Sequence, residues 1–396
     1  MSEKQGTASV HIVVLTAYYP IPEQIFSGTF VREQVGALAR HHQVTVIRPV
    51  EKPVRQLFSP LSSPQQDENW CVYFPHYINP PPRRIEYPMC LSYIYAAFAG
   101  SHSIDWSTVD IIHAHVTYPA GLVAVLLARY YHKPVVLTEH TGRFKGRVKK
   151  LYHRTLIHWT MKQVQKVIVV SSVLQRRIEH ERIVANFAVV PNMVNTDVFY
   201  PVLRPSAPEG EEFHLLWVGG ALESYILNKG APELLQAIAL ARPRLKKTLR
   251  FSLVVSEGAR VMCETLALRL GIFDCCKFLG TLSNLEVRDQ MQQHDALVLA
   301  SHSESFGVVL IEAMACGKPV IATRCGGPAE IVTPETGILI PPGDVEAMAE
   351  AIVQMSETVD TYDPARIAAY TKETFGPEAV VQKLNRVYAE ASAMYI

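Results

Sequence analysis

The chain has 396 residues, with 38 Lys and Arg against 37 Asp and Glu, and a formal net charge of +1. That length exceeds one ordinary hydrophobic core and makes two domains the natural expectation, while the near-neutral balance gives no basic field of the kind that gathers nucleic acid. Hydrophobic residues at 48% and charged residues at 19% suit a globular protein with large buried sheets, and seven cysteines without a Cys-x-x-Cys pair speak against a zinc site or a secreted disulfide framework.

Taken from the start, Met1 to Gln5 runs into the apolar stretch 10–15, which reads as a first strand and not as a signal peptide. No run has the length of a membrane-spanning helix, so a soluble cytoplasmic protein with reduced thiols is expected. Short β-branched runs then alternate with helix-length amphipathic segments, the pattern of parallel sheets with crossover helices. The expected strands are 10–16, 44–48, 109–114, 135–138, 167–170 and 188–190 in the first half. In the second they are 215–218, 251–255, 277–279, 296–299, 320–323 and 337–340. The Pro-rich segment 49–88, with Pro80-Pro81-Pro82, reads as a long irregular excursion. Arg204-Pro205-Ser206-Ala207-Pro208-Glu209-Gly210 is a linker by composition. The domains are therefore set at 1–205 and 206–376, with a last helix at 377–396 after Gly376-Pro377.

Between the strands expected at 296–299 and 320–323 lies Glu304-Ser305-Phe306-Gly307-Val308-Val309-Leu310-Ile311-Glu312, followed by Gly317-Lys318-Pro319. A polar turn with a glycine leads into an apolar helix, one carboxylate ahead of it and one inside. The unpaired N–H groups and positive dipole end of a helix start suit a phosphate. Two carboxylates can take hydroxyls on either side of it, and phosphate between two polyols is the outline of a nucleotide sugar. A glycosidase acid pair is the competing chemistry, but it needs a set separation across the bond it cuts. The blandest reading is a solvated helix face.

In open parallel sheets, ligands bind at the carboxyl ends of strands. His113, His115 and Tyr118 follow one expected strand end, and Glu139-His140-Thr141 follows another. Ser27-Gly28-Thr29 precedes a helix; Gly28 lets backbone N–H groups approach a phosphate, and the plain alternative is a turn capped by Thr29. Gly219-Gly220 follows the strand at 215–218, and Lys229-Gly230 comes shortly after. Both halves thus direct polar groups toward what would be a shared cleft. Arg143 to Lys162 is basic with interleaved aromatics, which fits either a solvated helix face or a contact with anionic lipid. There is no Asp-x-Asp, no Gly-x-Gly-x-x-Gly after a strand and no Gly-x-Ser-x-Gly elbow.

The Glu-x7-Glu spacing of Glu304 and Glu312, with the Gly-Lys-Pro-Val-Ile-Ala-Thr run after it, resembles the signature of the family-four retaining glycosyltransferases. The resemblance extends over most of the chain and implies the GT-B fold: two Rossmann-like α/β domains facing a cleft, parallel sheets with helices on both faces, and a last helix crossing back onto the first domain. It implies a sugar moved from a nucleotide diphosphate donor, UDP- or GDP-linked, to an acceptor hydroxyl. The acceptor would be a glycan or lipid-linked saccharide in polysaccharide or glycoconjugate synthesis, with no metal or cofactor. On the matching positions, Glu304 would meet the donor sugar and Glu312 the ribose. The backbone of Ser305, Phe306, Gly307 and Val308 would face phosphate, as would the loops at Gly28, Thr29, Gly219 and Gly220. Lys229 would neutralise the diphosphate, His140 would face the sugar, and His115 and Tyr118 would lie on the acceptor side. The chain departs from the family at Gly220, where an arginine is usual, in the longer stretch 222–228, and at Ser256-Glu257-Gly258, where two glycines flank one residue; Arg260 or Arg324 would have to supply the missing cation. Those departures keep open a non-catalytic scaffold of the same fold, with a nucleotide-sugar epimerase as a third reading. A location at the inner face of the cell membrane would follow from the basic-aromatic segment.

Overall fold

Strand β1 (His11–Thr16) is buried along its whole length, as a strand covered on both faces must be. It lies in the middle of an eight-stranded sheet with β2 (Gln43–Ile47), β4 (Gln65–Asp67), β5 (Trp70–Tyr73), β7 (Ile111–His115), β8 (Val135–Glu139), β9 (Lys166–Val169) and β10 (Phe187–Val189). Their order is β10-β9-β8-β7-β1-β2-β5-β4. A separate ribbon pairs β3 (Val50–Glu51) with β6 (His76–Tyr77). The second sheet runs β13 (Cys276–Phe278), β12 (Thr248–Val255), β11 (Glu212–Gly220), β14 (Ala296–Leu299), β15 (Val320–Thr323) and β16 (Gly337–Ile340). All its pairs are parallel. The computed structural model describes residues 9–21, 27–52, 64–79, 86–141, 151–202, 211–220 and 225–395. The proline run at 80–82, the linker at 204–210 and the first part, 143–150, of the basic stretch lie outside them.

Two expectations need correction. The segment 49–88 is not simply an irregular excursion. Trp70–Tyr73 pairs in parallel with β2, and Gln65–Asp67 pairs antiparallel with it to form the edge of an otherwise parallel sheet. Trp70 is 3% exposed, and its indole N–H donates to Tyr19 Oη at 2.8 Å. Tyr19 donates in turn to Asp67 at 2.8 Å, and Arg32 pairs with Asp67 at the same distance. This network ties the turn between β4 and β5 to the helix Thr29–Ala39.

The second correction concerns the boundary. The chain divides into one unit of Met1–Pro191 with Val380–Ile396 and another of Asn192–Ala379, so the first crossing comes before the linker and not within it. Residues just after Pro191 already belong to the second unit. Val194 N–H donates to Phe375 O at 3.0 Å, Gln292 donates to Tyr200 O at 2.9 Å, and the Phe199 side chain is buried. At the other end, the helix Pro377–Ala393 joins the first unit through His42 with Asn385, His113 with Tyr388, and the ion pair of Lys166 with Glu390.

Apolar helix faces cover both sides of each sheet. In the second unit Phe213, Trp217, Phe251, Ile238, Ile352 and Met355 form part of one continuous core. Burying each such side chain is worth about 1.5–3 kcal/mol. The result is a stiff scaffold whose strand ends carry the polar loops.

Candidate active site

In the second unit, β14 ends at Leu299 and the chain turns through Ser301 to Gly307 before the helix Val308–Ala315. Gly307 stands at the N-cap with φ 107°, a left-handed conformation that L side chains rarely adopt. Glu304 N–H donates to Cys325 O at 3.3 Å, so the loop bridges to the end of β15. The Glu304 carboxylate accepts from Lys229 Nζ at 2.8 Å and from Ser301 Oγ at 2.9 Å on the same oxygen. Lys229 is 25% and Glu304 16% exposed, so this pair is sheltered but reachable.

The loop carrying Lys229 is locked to the Glu304 loop. His302 N–H donates to Asn228 O at 2.8 Å, and Asn228 Nδ2 donates to Ser303 O at 3.1 Å. Gly230 has φ 69°, and a Cβ there would lie 2.1 Å from Ala300 O. Only glycine allows that approach, which explains why a glycine follows the lysine. Gly327 behaves similarly: a Cβ there would lie 2.3 Å from Phe306 Cα, so the turn after β15 packs directly under the Ser305-Phe306 backbone.

Sequence reasoning missed Ser301 as a carboxylate donor and missed Gly327 altogether. The signal was present, since both follow expected strands at their carboxyl ends. Glu312 lies one turn into the helix and is half-buried. Its charge is felt by Cys316, whose thiol is pushed up to about 12 mainly by burial, with Lys318 opposing and Glu312 adding. The structure therefore joins Glu304 with Lys229 and gives Glu312 other neighbours.

Gly219 and Gly220 end β11, with Gly220 paired to Val255 after a register shift. At the departure site, Ser256 caps the helix Glu257–Arg269 without a side-chain cap bond, and the Glu257 side chain is 81% exposed. The two suggested replacement cations differ in their surroundings. Arg260 bonds to Glu264 at 2.6 Å, and Arg324 is exposed beyond β15.

In the first unit, β7 and β8 bring three imidazoles together. His115 Nδ1 and His140 Nε2 share a hydrogen bond of 3.0 Å, and the rings stack 12° from parallel. His113 also stacks on His115, with centroids 4.4 Å apart. His113 itself shares hydrogen bonds with Thr138 Oγ1 at 2.7 Å and with Tyr388 Oη at 2.8 Å. Burial pushes His113 down to about 3 and His115 well below the usual imidazole range, so both are neutral at pH 7. The ring of Phe30 lies 4.6 Å from that of His140, which brings the Gly28-Thr29 turn to the same spot.

Gly28, and not Thr29, is the N-cap; a Cβ there would lie 2.3 Å from the Tyr18 carbonyl carbon. Beneath His140, the buried Glu139 carboxylate accepts from Thr117 N–H at 3.0 Å, Thr117 Oγ1 at 2.6 Å and Thr141 N–H at 2.8 Å. It holds the turns on both sides of the histidines. Tyr118 sits in the Thr117–Gly121 turn with its ring 5.1 Å from His153. In the basic-aromatic stretch, Trp159 is covered by Arg129 at 5.0 Å, and Arg154 donates to Glu181 O. Among the described residues, no helix is long and apolar enough to cross a membrane.

Residues 27–198 match the model "Glycosyltransferase Family 4" and residues 212–358 match "Glycosyl transferases group 1". An uncharacterised glycosyltransferase of Methanocaldococcus jannaschii is 28% identical over 306 residues, 76% of this chain and 82% of its own length. Sucrose-phosphate synthase from Thermosynechococcus elongatus superposes with a TM-score of 0.76 at 20% identity, covering 97% of this chain and 100% of that one. The Anabaena HepE structure in complex with UDP gives 0.72 at 20% identity, with 96% and 100% covered. Two Rossmann-like units, each bearing its polar loops at the strand carboxyl ends, make this chain a family-four-like glycosyltransferase of GT-B fold.

Proposed function

We propose that the chain is a retaining, metal-independent hexosyltransferase. It takes its sugar from a UDP- or GDP-linked donor and passes it to the hydroxyl of a glycan or lipid-linked saccharide in polysaccharide or glycoconjugate synthesis. The observation that carries this reading is the 2.8 Å pair of Lys229 Nζ with Glu304 Oε1 beside a glycine-capped helix start. Lys229 supplies the positive charge that a departing nucleotide diphosphate requires, and the first-turn N–H groups of the helix add their dipoles. Glu304 accepts from the sugar hydroxyls and Glu312 from the ribose. Ser305, Phe306, Gly307 and Val308 present backbone to phosphate, as do the glycine turns at Gly28, Thr29, Gly219 and Gly220.

The acceptor oxygen attacks C1 of the donor sugar on the face from which the phosphate leaves. The C1–O bond to phosphate breaks, the new C1–O bond forms, and the acceptor proton passes to the departing phosphate oxygen. His140 positions the sugar, while His115 and Tyr118 border the acceptor. The cationic, aromatic stretch 143–162 supports a peripheral contact with anionic lipid at the inner face of the cell membrane.

Incubation with UDP- and GDP-sugars and a saccharide acceptor, followed by NMR of the anomeric proton, tests the reading. Product of the donor's own anomeric configuration is expected. An inverted product ends the retaining assignment. Nucleotide binding with no transfer points to the scaffold reading that Gly220 and Glu257 leave open, and a donor altered without acceptor points to an epimerase.

A further inference from the structure

Arg48 follows β2 and is only 7% exposed. Its backbone N–H donates to Tyr73 O at 2.8 Å, and one guanidinium N–H donates to Pro49 O. Its Nε is buried and has no hydrogen-bond partner. Among the described residues no carboxylate pairs with it. The groups that face it are the phenols of Tyr93, Tyr77 and Tyr18. Glu51, on the neighbouring ribbon strand, acts on Tyr77 and is absent from the groups facing Arg48.

This is an unusual placement for a full charge. Taking a guanidinium out of water costs several kcal/mol unless an anion and further hydrogen bonds meet it. The contrast with Arg32 in the same unit is direct, because Arg32 has both Asp67 and Glu68 within 3.0 Å. The tyrosine wall is also built in. Tyr93 is 1% exposed and its hydroxyl donates to Thr16 O at 3.3 Å, while Tyr18 and Tyr77 are half-buried and the Tyr77 ring lies 5.2 Å from that of Tyr93. The ribbon β3–β6 follows β2 and β5 in the chain and carries Tyr77 on β6.

We propose that Arg48, walled by Tyr18, Tyr77 and Tyr93, is an oxyanion-binding site, and that the anion is a phosphate or carboxylate carried by the acceptor. A guanidinium takes either group in a two-pronged fork through its Nε edge, and Nε is the atom left without a partner here. Arg48 lies at the carboxyl edge of the sheet that also carries His140, three strand spacings away along β8-β7-β1-β2, or ~14 Å. An acceptor anchored there would present its hydroxyl at a distance of that order from its anionic group. The site stands on the geometry alone; its assignment to the acceptor rests on the transferase reading above.

Calorimetric titration of the full chain with inorganic phosphate, and separately with acetate, at constant ionic strength in chloride, tests the site and distinguishes the two anions. The wild type is expected to bind at least one of them, with Kd rising tenfold or more in Arg48→Met and less in Arg48→Lys. Equal binding in wild type and Arg48→Met would overturn the proposal, because the anion would then be elsewhere, and so would no binding of either anion. The melting temperature without anion gives a second readout: Arg48→Met removes an uncompensated buried charge and should melt no lower than wild type, or up to about 2 °C higher. A clear fall would make the guanidinium a structural group and overturn the site. UDP titrated into both proteins keeps the two readings apart. Failure of UDP to bind wild type counts against the donor assignment only, and unchanged phosphate binding in Arg48→Met counts against Arg48 only.

Discussion

The carboxyl edges of the two sheets are furnished in opposite ways. In the second unit a full ion pair, Lys229 with Glu304, is held by Ser301 and by a loop that only Gly230 permits. In the first unit the polar centre is a stack of imidazoles, His113, His115 and His140, the first two kept neutral by burial, beside a buried Glu139 that accepts three hydrogen bonds. A leaving nucleotide diphosphate needs fixed charge near it, whereas a hydroxyl nucleophile needs neutral groups that orient it without trapping its proton. On the proposed function, the charged edge would meet the leaving diphosphate and the imidazole edge the sugar and the acceptor, and this division can be broken by experiment.

The largest expected effect is on chemistry. Glu304→Gln removes the carboxylate charge but keeps the shape, and turnover should fall about 100-fold or more while the melting temperature changes little. Steady-state transfer rates check this, and wild-type turnover in the variant would remove Glu304 from the donor site. Next is the loop that presents Lys229. Gly230→Ala sets a Cβ 2.1 Å from Ala300 O at φ 69°, and a cost of about 2–4 kcal/mol in denaturant unfolding is expected. Gly271→Ala is the matched control. Its φ is 67° but nothing lies within 4 Å, so only the conformational cost of about 1–2 kcal/mol applies.

The histidine stack gives a pH signature of its own. His113 is pushed down to about 3 and His115 is lowered too, both chiefly by burial. Below an unfolded value of about 6.5 the unfolded chain binds protons that the native imidazoles refuse. Stability is therefore full above that pH and is lost as pH falls toward 3, by up to about 1.4 kcal/mol per pH unit for each histidine. Unfolding curves between pH 7 and 5 should show the decline, and His113→Gln should flatten it. The smallest effect expected is from Tyr388→Phe, which deprives His113 Nδ1 of its 2.8 Å partner and should cost about 1 kcal/mol.

Much of this was legible in the residues. The β-branched runs placed the core strands of both sheets, and the acid spacing with its glycine marked the loop that holds Glu304. What was hidden was hidden for physical reasons. Trp70–Tyr73 is only four residues long and lies in a proline-rich segment, so no periodicity revealed a strand. Lys229 and Glu304 are 75 residues apart, and a sequence does not show that they share a hydrogen bond. The domain crossing at Pro191 went unseen because Val194 and Phe199 look like linker until the second core is known. Arg48 gave no signal, since an arginine after a strand becomes informative only when the structure shows its Nε buried without a partner among the described residues.

The central claim is that the Lys229–Glu304 loop and its glycine-capped helix hold a nucleotide diphosphate. Calorimetric titration of UDP and GDP into the wild type and Lys229→Ala tests it most directly. At least one nucleotide should bind the wild type, with Kd raised tenfold or more in the variant, equivalent to about 1.4 kcal/mol. Equal affinity in the two proteins, or no binding of either nucleotide, would contradict the account.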